Sequence, residues 1–199
     1  MAYHGYIPEM HKVLMNYENP KILEIGVSAG ITTVALFHRL SHSHRSWEYT
    51  GVDIWLQPEM IEKVRWMGIN PSNYDLRQEN SLKFLEETNK KYDIVLIDGD
   101  HNYYTVKREL QHLNKICHDD TVVICDDYSG MWSETDLFYG EKEEFKNIEI
   151  ATKRIDEEKQ GVKPAIDEFV KENEDWVLFT TPYEPVFLTR RTSKFLSNQ

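Results

Sequence analysis

Carboxylate side chains come directly after two apolar segments of this sequence. Asp98 follows Tyr92–Ile97, and the pair Asp126 and Asp127 follows Thr121–Cys125. Several carboxylates in one place repel each other unless a cation or protons compensate them. A hard cation such as Mg²⁺ takes oxygen ligands of this kind. The residues therefore predict a metal site of Asp98, Asp126 and Asp127, with helix capping and loop solvation as the alternative interpretation.

A histidine lies close to the first of these carboxylates. His101 comes three residues after Asp98, and an unperturbed histidine has a pKa of about 6.5, so its neutral ring can accept a proton near neutral pH. We predict His101 and Asp98 as the catalytic residues, with His101 as a general base toward a substrate hydroxyl. The alternative roles of His101 are capping of the following helix and filling of a polar gap in the core.

Glycines and a serine form a short turn after an earlier apolar segment. Gly26, Ser28 and Gly30 follow Glu24 and lead into a helical pattern. Small residues let the backbone approach a ligand, and N–H groups at the start of a helix lack intrahelical partners. Asp53 ends the next apolar segment, where a carboxylate can accept hydrogen bonds from ribose hydroxyls. We predict that these five residues, together with Asp98, bind a nucleoside cofactor, and an ordinary strand-to-helix turn is the alternative.

Two other nucleotide-binding motifs fit this turn poorly. Nicotinamide dehydrogenases favour Gly-x-Gly-x-x-Gly, but Ser28 and Ile31 occupy the later glycine positions. A phosphate-binding P-loop requires Gly-Lys followed by Ser or Thr, and the sequence contains no such run. A nicotinamide oxidoreductase is therefore a weaker alternative, and a nucleotide-binding module without catalysis is another.

The hydrophobic pattern alternates between strand and helix along most of the chain. Short apolar runs predict strands at residues 21–26, 49–55, 74–77, 92–97 and 121–125. Helical spacing predicts helices at residues 31–40, 57–68, 81 onward, 103–117 and 161–172. This alternation predicts an α/β fold with a mostly parallel central sheet, whose strands end together at the edge where ligands bind. Residues 176–181 and 185–189 are joined by a short link, which predicts a C-terminal antiparallel hairpin.

Residues 129–160 differ from the rest of the chain. They are polar, acidic and aromatic, without a strand pattern, and we predict a helix at residues 142–159 within them. We interpret 129–160 as an insertion or lid within a single domain that spans residues 1–199. Its aromatic side chains could flank an aromatic or sugar-like acceptor.

Composition and charge exclude several classes of protein. The sequence has 23 Lys and Arg residues against 34 Asp and Glu, for a net charge of −11. This charge argues against nucleic-acid binding by electrostatic attraction to the phosphates. No apolar run approaches the roughly 20 residues that a membrane span requires, so we expect no membrane partner. The chain has two cysteines, which favours a reducing cytoplasm over a disulfide framework. The oligomeric state is left open, a homo-oligomer included.

Six segments of the sequence resemble class I S-adenosylmethionine-dependent methyltransferases. Among these, the resemblance is to the metal-dependent small-molecule O-methyltransferases related to catechol, macrolide-sugar and rhamnosyl O-methyltransferases. The segments are LEIGVSAG, GVDIW, QENS, IDGDHNYYTVKREL, CDDY and GVKPAIDEF, within residues 20–190. LEIGVSAG is similar to the glycine-rich motif of the family, and GVDIW is similar to its acidic motif.

The resemblance implies a Rossmann-like methyltransferase fold and S-adenosylmethionine as the cofactor. It implies that Asn80 and Ser81 lie near the adenine of that cofactor, and that Asp98, Asp126 and Asp127 hold a divalent metal such as Mg²⁺. The implied reaction is methyl transfer to a hydroxyl of a small molecule or sugar. A module that binds S-adenosylmethionine without catalysis stays an alternative, although such a module has no need to assemble three aspartates.

Overall fold

A computed structural model describes residues 7–180 and 185–197 of the chain. Seven strands alternate with helices along most of the sequence. The strands are β1 (Lys21–Ile25), β2 (Glu48–Asp53), β3 (Tyr74–Gln78), β4 (Tyr92–Ile97), β5 (Cys117–Cys125), β6 (Trp176–Thr180) and β7 (Val186–Arg190).

The helices connect these strands and cover the sheet. They are α1 (Ile7–Leu14), α2 (Ile31–Ser43), α3 (Pro58–Trp66), α4 (Ser81–Glu87), α5 (Tyr103–Gln111), α6 (Leu113–Ile116), α7 (Val162–Glu172) and α8 (Lys194–Ser197). Short 3₁₀ turns are present at Pro71–Asn73 and Tyr139–Glu141. No helix in residues 7–180 or 185–197 has the length and apolar character to cross a bilayer.

One sheet joins all seven strands in the order β3-β2-β1-β4-β5-β7-β6. The first five strands pair in parallel, and β7 lies antiparallel between β5 and β6. This is the Rossmann-like methyltransferase fold, and it confirms the predicted parallel sheet and the antiparallel C-terminal hairpin. The link of that hairpin, residues 181–184, lies outside the described residues.

Apolar side chains fill both faces of the sheet, because alternate residues of a strand point to opposite sides. On one face, Val95, Val123 and Leu188 pack beneath α4, α5 and α7. On the other face, Ile94 and Val122 pack beneath α1, α2 and α3. Both faces are therefore buried, and polar side chains at the carboxyl ends of the parallel strands are held on a rigid frame.

Two predicted helices differ from the structure. The helix predicted at residues 103–117 is divided into α5 and α6, and Cys117 begins β5 instead of closing a helix. The helix predicted at residues 142–159 is wrong, since this segment consists of turns and irregular backbone. Its Glu and Lys residues favour helix formation locally, but they supply no apolar stripe that a helix could bury.

Hydrogen bonds to residues outside it hold the segment 129–160, which has no α-helical hydrogen bonds of its own to order it. Asp136 accepts hydrogen bonds from the N–H groups of Tyr103 (2.9 Å) and Gly161 (2.7 Å). The N–H of Tyr139 donates to Asp100 Oδ1 at 3.0 Å. The backbone of Leu137 pairs with that of His101. The segment is thereby tied to the loop that follows β4.

Candidate functional site

A cleft opens at the carboxyl ends of β1, β2, β3 and β4. The side chains and backbone that line it come from the loops after these strands and from the segment 129–160. Among the lining residues are Gly26, Ser28, Asp53, Trp55, Asn80, Ser81, Asp98, Tyr139 and Phe145. The cleft lies where an open parallel sheet binds its ligand.

Asp53 fixes the turn that follows β1. Its Oδ2 accepts hydrogen bonds from the N–H groups of Val27 and Ser28, both at 2.8 Å, and its Oδ1 accepts one from Trp55 at 2.9 Å. Burial raises the pKa of Asp53, while these N–H groups act to lower it. One carboxylate therefore shapes the glycine turn and also lines the cleft.

Two residues predicted to bind the cofactor do not line the cleft. Glu24 is 2% exposed and is hydrogen-bonded below the sheet edge. Its Oε2 accepts hydrogen bonds from Tyr49 Oη (2.5 Å) and Thr33 Oγ1 (2.9 Å). Gly30 is the N-cap of α2 and lies against Met60. Both residues support the turn from behind, because Glu24 points away from the strand face that leads to the ligand.

Glu24 gives the stability of the fold a pH dependence. Burial raises the pKa of Glu24 to about 7 from 4.5, so the folded chain keeps this proton where the unfolded chain has lost it. The contribution of Glu24 to folding is therefore largest below pH 4.5, falls as the pH rises toward 7, and is constant above that. We expect Glu24→Gln to flatten the dependence of the unfolding free energy on pH across this window by about 3 kcal/mol.

Chemical denaturation at a series of pH values measures this effect. Glu87→Gln is the matched control, because Glu87 is exposed and its substitution leaves the curve of the wild type unchanged. If the free energy of unfolding changes with pH equally in Glu24→Gln and in the wild type, Glu24 does not hold the proton.

Asn80 and Ser81 both line the cleft, but both polar atoms of the Asn80 side chain already form hydrogen bonds within the protein. Asn80 Oδ1 caps α4 by accepting the N–H of Leu82 at 3.0 Å. Asn80 Nδ2 donates to the carbonyl of Ile150 (3.0 Å) and to Thr152 Oγ1 (3.1 Å). The side chain of Asn80 thus joins α4 to the segment 129–160.

The three predicted metal ligands lie together at the ends of β4 and β5. The side chains of Asp98 and Asp127 are 13% and 11% exposed, and Asp126 is buried. Burial raises the pKa of Asp98 well above its ordinary value, and the carboxylates of Asp126 and Asp127 raise it further. A hydrogen bond between Asp98 and Asp126 contributes to the same shift. A proton held by Asp98 therefore compensates part of the charge of this cluster.

His101 lies between two of these carboxylates. Its Nδ1 is 3.2 Å from Asp127 Oδ2, and its Nε2 is 3.7 Å from Asp98 Oδ1. Burial lowers the pKa of His101 to about 4, and the nearby Lys142 cation lowers it too. The imidazole is therefore neutral at physiological pH, with one ring nitrogen able to accept a proton.

The described residues do not form a metal centre as they are placed. No group of three or more His, Cys, Asp and Glu side chains within residues 7–180 and 185–197 is arranged to hold a metal ion. At the acidic cluster, the ring of His101 bridges Asp98 and Asp127. The three carboxylates are neighbours, as the sequence predicts, but their arrangement does not fit a magnesium ion.

Aromatic side chains from the segment 129–160 complete the cleft. Phe145 meets Trp55 edge-on at 5.6 Å between ring centroids, and Tyr139 lies 5.6 Å from Phe145 and 5.9 Å from His101. The sequence predicted aromatic residues over an acceptor but did not single out Trp55 or Phe145 for the cleft. The position of Trp55 two residues after Asp53 is a local signal for it, whereas the place of Phe145 depends on long-range contacts.

More than half of the chain matches a known family. A family model described as a methyltransferase domain matches residues 23–128. The match includes the glycine turn, Asp53, Asp98 and both residues of the Asp126–Asp127 pair. No protein of the curated set matches the sequence.

Solved structures share the fold over almost the whole chain at low identity. A methyltransferase of Podospora anserina bound to SAH is 14% identical, with a TM-score of 0.63 over 96% of this chain and 80% of that one. A Staphylococcus aureus protein described as a caffeoyl-CoA O-methyltransferase is 14% identical, with a TM-score of 0.62 over 94% and 83%. A Clostridium thermocellum protein described as an rRNA methylase is 11% identical, with a TM-score of 0.59 over 97% and 99%.

Proposed function

The chain belongs to the methyltransferase-domain family, and from this premise we propose that it moves the methyl group of S-adenosylmethionine to a hydroxyl oxygen of a small molecule or sugar. The observation that carries the proposal is the cleft, which brings the glycine turn, Asp53 and Asp98 together, with His101 Nε2 3.7 Å from Asp98 Oδ1. The names of similar structures support an oxygen acceptor, since one is described as a caffeoyl-CoA O-methyltransferase.

The cofactor lies along the cleft from Asp53 toward Asp98. Asp53 accepts hydrogen bonds from the ribose hydroxyls, as a carboxylate at the end of the second strand does in related nucleotide sites. The amino-acid part of the cofactor passes over the turn of Gly26 and Ser28. This arrangement directs the sulfonium methyl toward the cluster of Asp98 and His101.

His101 is the general base of the proposed reaction. Asp127 accepts a hydrogen bond from Nδ1–H, which fixes the tautomer and leaves the lone pair of Nε2 free. The acceptor oxygen attacks the methyl carbon, the bond from carbon to sulfur breaks, and the hydroxyl proton passes to His101 Nε2. The products are a methyl ether, S-adenosylhomocysteine and a protonated imidazole that is paired with Asp127 through Nδ1. Alignment of the oxygen with the methyl group supplies much of the rate.

The segment 129–160 is a lid over this site within a single methyltransferase domain. Its residues Tyr139, Phe145 and Thr152 line the cleft, and the hydrogen bonds of Asp136 and Asn80 join it to the starts of α5 and α4. Closing a lid excludes water from the transferring methyl group. The aromatic rings of Tyr139 and Phe145 suit an acceptor with a flat or sugar-like face.

Calorimetric titration with S-adenosylhomocysteine tests cofactor binding, and turnover with a panel of phenolic and sugar hydroxyl acceptors tests the reaction. Binding without turnover of any acceptor in the panel would support the module without catalysis. Absence of binding would contradict the proposal.

Asp53→Ala is expected to weaken S-adenosylhomocysteine binding about 10- to 100-fold. The ribose hydroxyls lose a charged acceptor worth about 1.5–3 kcal/mol, and each 1.4 kcal/mol is tenfold in affinity. The N–H groups of Val27 and Ser28 also lose the partner that holds the turn. Titration calorimetry measures the change.

Asp75→Ala is the control for the Asp53 variant. Asp75 is also an acidic residue of the sheet, but it is exposed and pairs with Arg77. Its substitution should leave the affinity within about twofold, as surface ion pairs contribute little. Equal affinity of Asp53→Ala and Asp75→Ala would place the ribose elsewhere.

Magnesium is the cofactor that the sequence predicted in addition to S-adenosylmethionine. Asp98, Asp126 and Asp127 would hold it and would orient the acceptor oxygens on it, but these side chains as placed do not fit the ion. No step of the proposed reaction passes through a metal, because His101 and Asp127 already form a base.

Turnover is expected to persist in excess chelator. The proposed base consists of two side chains of this chain, so removal of free divalent cations leaves it intact. The measurement compares initial rates in EDTA, with and without added Mg²⁺. Loss of turnover that Mg²⁺ restores, and that Asp126→Asn abolishes, would support the magnesium site instead.

A further inference from the structure

Glu109 is a buried carboxyl group that the proposed reaction does not use. It lies on α5 and is 0% exposed. Its Oε1 accepts the hydroxyl proton of Ser81 at 2.6 Å. Its Oε2 has no hydrogen-bond partner among the described residues. A buried polar atom without a partner lowers the stability of the fold, so stability alone does not account for a glutamate at this position.

Glu109 lies directly under the floor of the cleft. Ser81, its hydrogen-bond partner, lines the cleft, and so does Gly99. A Cβ built on Gly99 would be 3.8 Å from Glu109 Oε1. The carboxyl group is thus separated from a bound ligand by the Ser81 side chain on one side and by a bare backbone on the other.

Ser81 is a polar side chain at this end of the cleft with hydrogen-bonding capacity left for a ligand. Asn80 uses Oδ1 to cap α4 and Nδ2 to hold Ile150 and Thr152. A serine hydroxyl has one proton and two lone pairs. Because the proton of Ser81 is directed at Glu109, its lone pairs are left for the cleft.

We propose that Glu109 is a positioning residue that makes Ser81 a hydrogen-bond acceptor for the base of the bound nucleoside, and so selects an exocyclic amino group over a carbonyl. The inference rests on the proposed function, which places an adenosyl cofactor in this cleft with its ribose at Asp53. Ser81 begins α4 three residues after the end of β3, and β3 neighbours β2 in the sheet. The base of that nucleoside therefore reaches Ser81.

The protonation of Glu109 agrees with this arrangement. Burial raises the pKa of Glu109 to about 8, the Asp100 carboxylate raises it further, and the hydrogen bond from Ser81 lowers it. At neutral pH the proton is carried by Oε2, since Oε1 accepts from Ser81. A neutral carboxyl group can lie under an adenine ring without the desolvation cost of a charge.

The test compares S-adenosylhomocysteine with S-inosylhomocysteine, in which a carbonyl replaces the amino group of the base. Titration calorimetry on the full chain gives the ratio of the two dissociation constants. We expect the wild type to favour the adenosyl compound, and Ser81→Ala and Glu109→Leu each to reduce the ratio about tenfold, as for one lost hydrogen bond. Glu109→Gln should keep the ratio, because the amide oxygen still accepts from Ser81.

Two controls separate this role from a structural one. The double variant Ser81→Ala with Glu109→Leu should reduce the ratio no further than either single change, since both act on one hydrogen bond. Glu109→Gln keeps the shape of the side chain. It therefore still tests the role of Glu109 if the Glu109→Leu variant does not fold. A ratio unchanged in Ser81→Ala while S-adenosylhomocysteine still binds would overturn the inference. Failure of the wild type to bind S-adenosylhomocysteine would instead overturn the proposed function.

Discussion

Gly26→Ala is expected to abolish cofactor binding and to destabilise the fold by about 2–5 kcal/mol. Gly26 has φ of +88°, a conformation that L-residues rarely adopt. A Cβ at this position would overlap the carbonyl group of Asp98 and lie 2.8 Å from Gly99 N. The overlap forces β1 and β4 apart at the cleft, where Asp98 N donates to the Ile25 carbonyl at 2.9 Å.

Gly68→Ala is the matched control for this substitution. Gly68 also has positive φ, at +66°, but a Cβ there would meet nothing within 4 Å. Gly68→Ala should therefore lower the free energy of unfolding only by the backbone strain, about 1 kcal/mol, and should leave the cofactor affinity unchanged. Urea denaturation gives the two free energies of unfolding, and calorimetry gives the affinities. Equal losses of stability in both variants would show that the contact with Asp98 does not constrain the turn.

His101→Ala is expected to lower kcat about 10²- to 10⁴-fold, as removal of a general base does. The affinity for S-adenosylhomocysteine should change little, because His101 is not among the residues that line the cofactor cleft. Asp127→Asn should lower kcat by a smaller factor, since the amide can still orient Nδ1 but no longer stabilises the charged ring. Initial rates with the acceptor identified in the panel measure both effects.

The control for His101 is His42→Ala, an exposed histidine on α2 that should leave the rate unchanged. A rate of His101→Ala within about threefold of the wild type would remove the histidine from the reaction, since a general base contributes far more than that. In that case the proton of the acceptor would pass to a carboxylate of the cluster or to water.

The sequence was sufficient for the fold and for the position of the cleft, because both depend on local patterns. Apolar runs that end in Gly26, Asp53 and Asp98 determine which residues reach the carboxyl edge of a parallel sheet. The side to which a strand residue points is a weaker inference. Glu24 lies one residue from the end of β1, and its orientation toward Tyr49 depends on the sheet as a whole.

The conformation of the segment 129–160 could not be predicted in the same way. Its conformation depends on hydrogen bonds to distant residues, such as Asn80 with Ile150 and Asp100 with Tyr139, and these leave no periodic signal. Glu109, in contrast, did leave a periodic signal in the sequence. It lies on the buried face of α5 with Thr105 and Val106, and an acidic residue at an apolar-face position of a helix is a sign of a buried polar contact.

The position of β7 affects how the chain can acquire its sheet during synthesis. β7 follows β6 in the chain, yet it lies between β5 and β6 and pairs with both. Until residues 186–190 leave the ribosome, the edge of β5 at Val122–Cys125 lacks its neighbour and exposes unpaired backbone groups beside apolar side chains. Such an open edge is prone to pair with another chain. Nascent chains stalled before residue 186 should therefore be the species that aggregates or requires a chaperone.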